Sequence, residues 1–193
     1  MTSTRREQAE ARREQLLEVT LELFIERGLE NVTVADVATR AGVTPGLLYH
    51  YFESKDELVA AVLDAASPRA AFAGLAASLS GRPAEEGLRE FSRRAAELLE
   101  ARGDVIRILL REVLAPTPST HAVIADIQQQ VLDDLSRYLD ERIAAGELRQ
   151  HDPRAALRLL ISGLLVLGIT RQPVEPWIDG FVDTVLHGIT TEE

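Results

Sequence analysis

The sequence contains no cysteine, one methionine, one lysine (Lys55) and only 5% aromatic residues. Without cysteine there is no disulfide, no thiolate catalysis and no cysteine-held zinc or iron–sulfur centre. The longest uncharged apolar run, Leu159 to Thr170, is shorter than the roughly 20 residues that span a bilayer, and Ser162, Gly163 and Gly168 interrupt it. The first residues mix Arg5, Arg6, Arg12 and Arg13 with Glu7 and Glu10 and lack the apolar core of a signal peptide. The expected location is therefore cytoplasmic, with no membrane partner. No stretch alternates apolar and polar residues, so no sheet is expected. The four histidines, His50, His121, His151 and His187, are scattered, and Ser119 with His121 reads as a helix start. H-E-x-x-H, G-x-S-x-G and phosphate-loop patterns are missing. Neither catalysis nor a metal or other cofactor is expected.

What is present is an ordinary globular balance: 193 residues, 46% apolar and 27% charged, enough for one or two domains. The net charge of −10 argues against a general nucleic-acid binder. The charges are unevenly placed, however. Residues 1–55 hold seven basic and nine acidic side chains, and residues 56–193 hold fourteen and twenty-two. Between Ala41 and Phe52 there is no acidic residue at all.

The apolar spacing is helical almost throughout. Leu16, Leu17, Thr20, Leu23, Phe24 and Gly28 follow one stripe, with Gly28 as a C-cap, and Glu14, Glu18, Glu22, Glu26 and Glu30 recur every four residues as a solvated face. Further helices are expected at about 34–41, 45–51, 54–77, 84–102, 104–114, 118–145, 152–170 and 176–190. Breaks fall at Gly42, Gly81 to Pro83, Gly103, Pro116 to Pro118, Gly146, Asp152-Pro153 and Pro173 to Pro176. The expected fold class is all-α, with about nine helices.

Three short helices start in succession between Asn31 and Leu58. Thr33 with Asp36 is a capping-box variant, and Gly42 suits a left-handed C-terminal turn. Thr44 caps the next helix, with Pro45 at its first position. Ser54 with Glu57 opens the third. Two short helices joined by Gly42-Val43-Thr44 fit a helix-turn-helix. The second carries Tyr49, His50 and Tyr51 in a row, with Leu48 and Phe52 as its inward face. A short helix has one buried stripe, so three consecutive polar aromatics cannot all be core. Their hydrogen-bonding tips suit phosphate oxygens. Lys55 falls in the first turn of the third helix, where a cation opposes the macrodipole and a bound phosphate would offset that cost.

The stretch from about Arg13 to Leu58 reads TV-x-D-V-A-x-x-AGVT-x-G-x-LY-x-YF-x-SK-x-EL after a leader helix with Leu16-Leu17 and Leu23-Phe24. It resembles the TetR family of bacterial transcriptional regulators over roughly the first third of the chain. The resemblance implies a three-helix DNA-binding domain at 1–53 and a helical ligand-binding and dimerisation domain at 54–193. It makes Pro45 to Tyr51 the recognition helix, entering the major groove of double-stranded operator DNA. Thr44, Pro45, Gly46 and Leu47 would face base edges, only Thr44 having a polar side chain; Pro45 and Leu47 offer apolar contact, for example to a thymine methyl. Ala35 stands where some relatives carry a base-reading arginine, which shifts weight to DNA shape. Thr33, Tyr49, His50, Tyr51 and Lys55 are the phosphate candidates.

In the rest of the chain, Trp177, Ile178, Phe181, Val182, Val185, Leu186 and Ile189 form an apolar stripe. The preceding helix is apolar over most of its circumference. The expected association surface comprises Leu157, Leu160, Ile161, Leu164, Leu165, Trp177, Phe181 and Val185. The resemblance implies a homodimer through an intermolecular four-helix bundle, hence a pseudo-palindromic operator. It also implies a repressor released by a small-molecule effector that biases a two-state equilibrium. Arg107, Arg111, Gln128, Tyr138 and Ser162 are polar residues in apolar surroundings and candidate pocket residues; few aromatics favour an aliphatic effector. Two alternatives remain open at this level. One is a ligand-independent regulator or an activator of the same fold; the other is a helical interaction module without DNA binding.

Overall fold

The computed structural model describes residues 2–115, 117 and 120–188, with side chains from Arg5 onward. Pro116, Pro118, Ser119 and Ile189, named above, lie outside the described residues. The described residues contain no strand. They form ten α-helices: α1 (Thr2–Arg27), α2 (Val34–Ala41), α3 (Pro45–Tyr51), α4 (Lys55–Ala66), α5 (Arg69–Ser78), α6 (Ala84–Ala101), α7 (Gly103–Leu114), α8 (His121–Ala144), α9 (Pro153–Ile169) and α10 (Glu175–His187). A 3-10 turn, Leu29–Asn31, follows α1.

One helix more than expected appears because 54–77 is two helices. Pro68 disfavours a helical conformation at the residue before it, and Ser67 is extended at φ −62°, ψ 145°. The span Lys55–Ser78 is long and apolar enough to cross a membrane by length and composition. It is, however, divided at Ser67-Pro68, and much of its α4 half packs inside a core.

The chain packs as two units. The first joins the residues up to Ser67 with 107–126. Here α1 buries Leu16, Leu17, Thr20, Leu23 and Phe24, the expected stripe. Val37 and Ala38 of α2, Leu48 of α3 and Phe52 after it are buried as well. Helix α4 packs on α1 and buries Leu58, Val59, Val62 and Leu63. By packing, the break therefore follows α4 rather than residue 53. Each of these buried aliphatic or aromatic side chains contributes about 1.5–3 kcal/mol. The second unit joins 68–106 with the residues from 127 onward. Its core brings together Leu88, Phe91 and Ala95 of α6, Leu135 and Leu139 of α8, Leu157, Leu160 and Leu164 of α9, and Ile178 and Val182 of α10.

Candidate nucleic-acid interface

The first unit holds three short helices whose ends are fixed by their own side chains. The Thr33 hydroxyl accepts from the Asp36 N–H (3.2 Å), and an Asp36 carboxylate oxygen accepts from the Thr33 N–H (2.9 Å), a complete capping box. Helix α2 ends at Gly42, whose φ of 66° and ψ of 35° lie in the left-handed region that glycine enters at little cost. The Thr44 hydroxyl accepts from the Leu47 N–H (3.3 Å), with Pro45 at the first position of α3. The Ser54 hydroxyl accepts from the Glu57 N–H (3.1 Å) to start α4. The Glu57 carboxylate reaches back one residue further than expected, to the Glu53 N–H (2.6 Å).

This framework aims α3. Leu48 and Phe52 are fully buried, so the helix can turn only one way. Thr44, Pro45, Gly46, Leu47, Tyr49 and His50 are exposed, Tyr49 at 50%. Tyr51 is half-buried and meets His50 edge to face at 5.5 Å. Thr33 is exposed and Lys55 half-buried. The side chains expected to meet DNA are thus on or beside one capped element, and none of the three consecutive aromatics is core.

Ion pairs add what the sequence reading missed. The glutamate face of α1 is only partly solvated. Glu26 accepts two hydrogen bonds from Arg40 of α2 (2.7 and 3.1 Å), and Glu22 lies 3.9 Å from the same guanidinium. Glu30 pairs with Arg111, and Arg27 pairs with Asp36 at 3.2 Å. The Arg40 hydrogen bonds hold the Glu26 carboxyl below its usual range. The Thr33 hydroxyl does the same for Asp36, helped by the Thr33 N–H and by Arg27. Glu30 is lowered by a backbone N–H, then by Arg111, with Lys55 adding to the effect. The four-residue spacing of the glutamates and the arginines of α1 and α2 were visible in the sequence; their pairing depends on how α1 crosses α2. A second missed feature is Glu112, buried at 5% exposure and accepting from the Thr120 hydroxyl at 2.7 Å. Its spacing of three from Leu109 and four from Ile108 was the available signal.

The candidate pocket residues do not form one group. Arg107 and Arg111 belong to the first unit; Gln128, Tyr138 and Ser162 belong to the second. Arg111 is committed to Glu30, and Gln128 and Ser162 are exposed. Tyr138 is a satisfied core residue: its hydroxyl donates to the Pro83 carbonyl at 2.9 Å, and burial pushes its pKa up to about 12. Burial also corrects the expected association surface. Leu157, Leu160 and Leu164 are each 1% exposed and packed in their own unit's core, because they face α6 and α10. Ile161, Leu165, Phe181 and Val185 are half-buried, and Trp177 is 52% exposed, stacked on Phe181. Leu159 and Val166, not among the expected residues, are the exposed leucine and valine of α9.

Two family models match the chain. Bacterial regulatory proteins of the tetR family match residues 16–62, and the tetracyclin repressor-like C-terminal domain matches residues 81–166. The HTH-type transcriptional repressor KstR2 of Mycobacterium tuberculosis is 50% identical over 52 residues, 27% of this chain and 26% of that protein. The matched stretch thus spans about a quarter of that relative. Among solved structures, the transcriptional regulator FadR from Bacillus subtilis, in complex with stearoyl-CoA, superposes with a TM-score of 0.76 at 19% identity, covering 92% of this chain and 99% of that one. AibR in complex with isovaleryl coenzyme A and operator DNA has a TM-score of 0.67 at 21% identity, covering 91% and 98%. At these identities the likeness establishes the fold. With both domain families matched in order along one chain and the helix-turn-helix geometry intact, the chain belongs to the tetR family of bacterial regulatory proteins.

Proposed function

We propose that this chain is a homodimeric, DNA-binding transcriptional repressor released from its operator by a small-molecule effector. In this reading residues 1–53 read DNA, residues 54–193 bind the effector and dimerise, and the protein acts in the cytoplasm without catalysis. The observation that carries it is α3: a helix capped at its start, anchored by Leu48 and Phe52, with Thr44 to Leu47, Tyr49 and His50 exposed and no carboxylate among them. Thr44 hydrogen-bonds a base or phosphate, Leu47 packs on an apolar base edge, and Tyr49, His50, Tyr51, Lys55 and Thr33 hold phosphates. Dimerisation runs through α9 and α10, with Leu159, Val166 and Trp177 as the exposed apolar residues to be covered.

The effector reading draws on the matched C-terminal domain and on solved relatives of this fold that hold acyl-coenzyme A molecules. The aliphatic interior of the second unit favours an effector with a mostly aliphatic body. Selection of bound duplexes from a random pool tests the function. Enrichment of a pseudo-palindrome, followed by its release in an effector screen, is the expected result. Failure of any sequence to enrich at moderate salt would overturn it.

A further inference from the structure

The first half of α1 carries a charge pattern that the recognition helix does not explain. Arg5 and Arg12 are seven residues apart, as are Arg6 and Arg13, so the four arginines lie on two adjacent lines of one helix face. Glu7, Glu10 and Glu14 follow one another at spacings of three and four on the neighbouring side. All seven side chains are exposed. The arginine face continues the face that α1 buries further on. Leu16 lies four residues beyond Arg12, and Leu23 eleven beyond it; Thr20 lies seven beyond Arg13, and Phe24 eleven beyond it. Arg13 shows where that face leads. Its guanidinium sits 5.3 Å from the ring centre of Phe52, the residue that ends α3. The arginines before it therefore extend on the side of the helix-turn-helix, along about 18 Å of helix from Thr2 to Arg13 at 1.5 Å per residue.

We infer that this face grips the phosphate backbone of DNA flanking each operator half-site, an inference that rests on α3 being the recognition helix. A helix that is polar all round has little packing to hold it, and phosphate contacts would supply the missing partner. Guanidinium groups match phosphate oxygens in a bidentate geometry. Between Thr2 and Gln15 no side chain is both apolar and larger than alanine, so the segment has no apolar face to insert into a lipid surface. Because it meets only phosphates, this contact raises affinity without adding base preference.

The test uses the full chain with R5A, R6A and R12A combined, leaving Arg13 over Phe52. Affinity for the selected operator is measured against salt, on duplexes with and without flanking DNA. The expected variant has a log–log salt slope flatter by about 2–3 units and affinity lower by about ten- to a hundredfold at moderate salt. It keeps the base preference and gains nothing from the flanks, whereas the wild type does gain. The charge-preserving R5K, R6K and R12K combination, a control for lost helix, keeps the slope. An unchanged slope with unchanged flank dependence in the alanine variant would overturn the inference while leaving the operator reading intact. So would an effect confined to binding of phosphatidylglycerol vesicles. A wild type that selects no sequence removes the operator reading and this inference together.

Discussion

At the residue scale, burial separates side chains that serve the fold from those free to serve a partner. Tyr138 looked like a pocket residue in the sequence because it is polar among leucines. Its hydroxyl is committed to the Pro83 carbonyl, and it lies against Gly87 so closely that a Cβ there would stand 1.9 Å from the tyrosine oxygen. Gly87→Ala should therefore destabilise the second unit by about 1–3 kcal/mol, read as a lower urea midpoint. An unchanged midpoint would show that Tyr138 moves aside freely. Tyr49, by contrast, spends no buried surface on the fold. That difference was legible for α3, where Leu48 and Phe52 define an inward face by spacing alone. For Tyr138 it was not, because its partners lie more than fifty residues away.

At the element scale, punctuation was the most legible feature. Thr33 with Asp36, Thr44 with Pro45, Ser54 with Glu57 and Gly42 mark helix ends through local hydrogen bonds, which depend only on neighbouring residues. The break at Pro68 follows from equally local chemistry, although apolar spacing running through it suggested one helix. Helix-to-helix ion pairs such as Arg40 with Glu26 required the crossing of α1 and α2 and were not legible. Thr33→Ala should cost the first unit about 1 kcal/mol by removing the cap. The carboxyls of Asp36 and Glu26 titrate lower in the folded chain than their usual 3.8 and 4.5. Their contribution is present above those unfolded-state values and is lost as pH falls through the lowered folded ones. Asp36→Asn should thus weaken the unit at neutral pH and reduce its loss of stability on acidification. Denaturant midpoints at neutral and acidic pH check both points, and an identical acid dependence in the variant would count against the Asp36 linkage.

At the scale of the whole molecule, the charge of −10 and the proposal of DNA binding are reconciled by placement. The acidity lies mainly beyond residue 55 and along the glutamates of α1, where several carboxylates are engaged by arginines. Association should depend on the exposed apolar residues of α9 and α10. Leu159→Glu should yield a monomer by sedimentation with unchanged helical content and weakened operator binding, whereas a dimer of full strength would move the interface elsewhere. The sequence suggested these helices correctly as apolar but did not divide their leucines between core and surface, because a helix apolar nearly all round carries no directional signal. The most direct test of operator recognition is footprinting of the full chain on its selected duplex. Protection of two half-sites about one helical turn, or a multiple of it, apart, lost at physiological salt in Tyr49→Phe and Lys55→Ala variants that remain folded, is the expected result. Uniform, sequence-independent protection, or half-site protection unaltered in both variants, would contradict it.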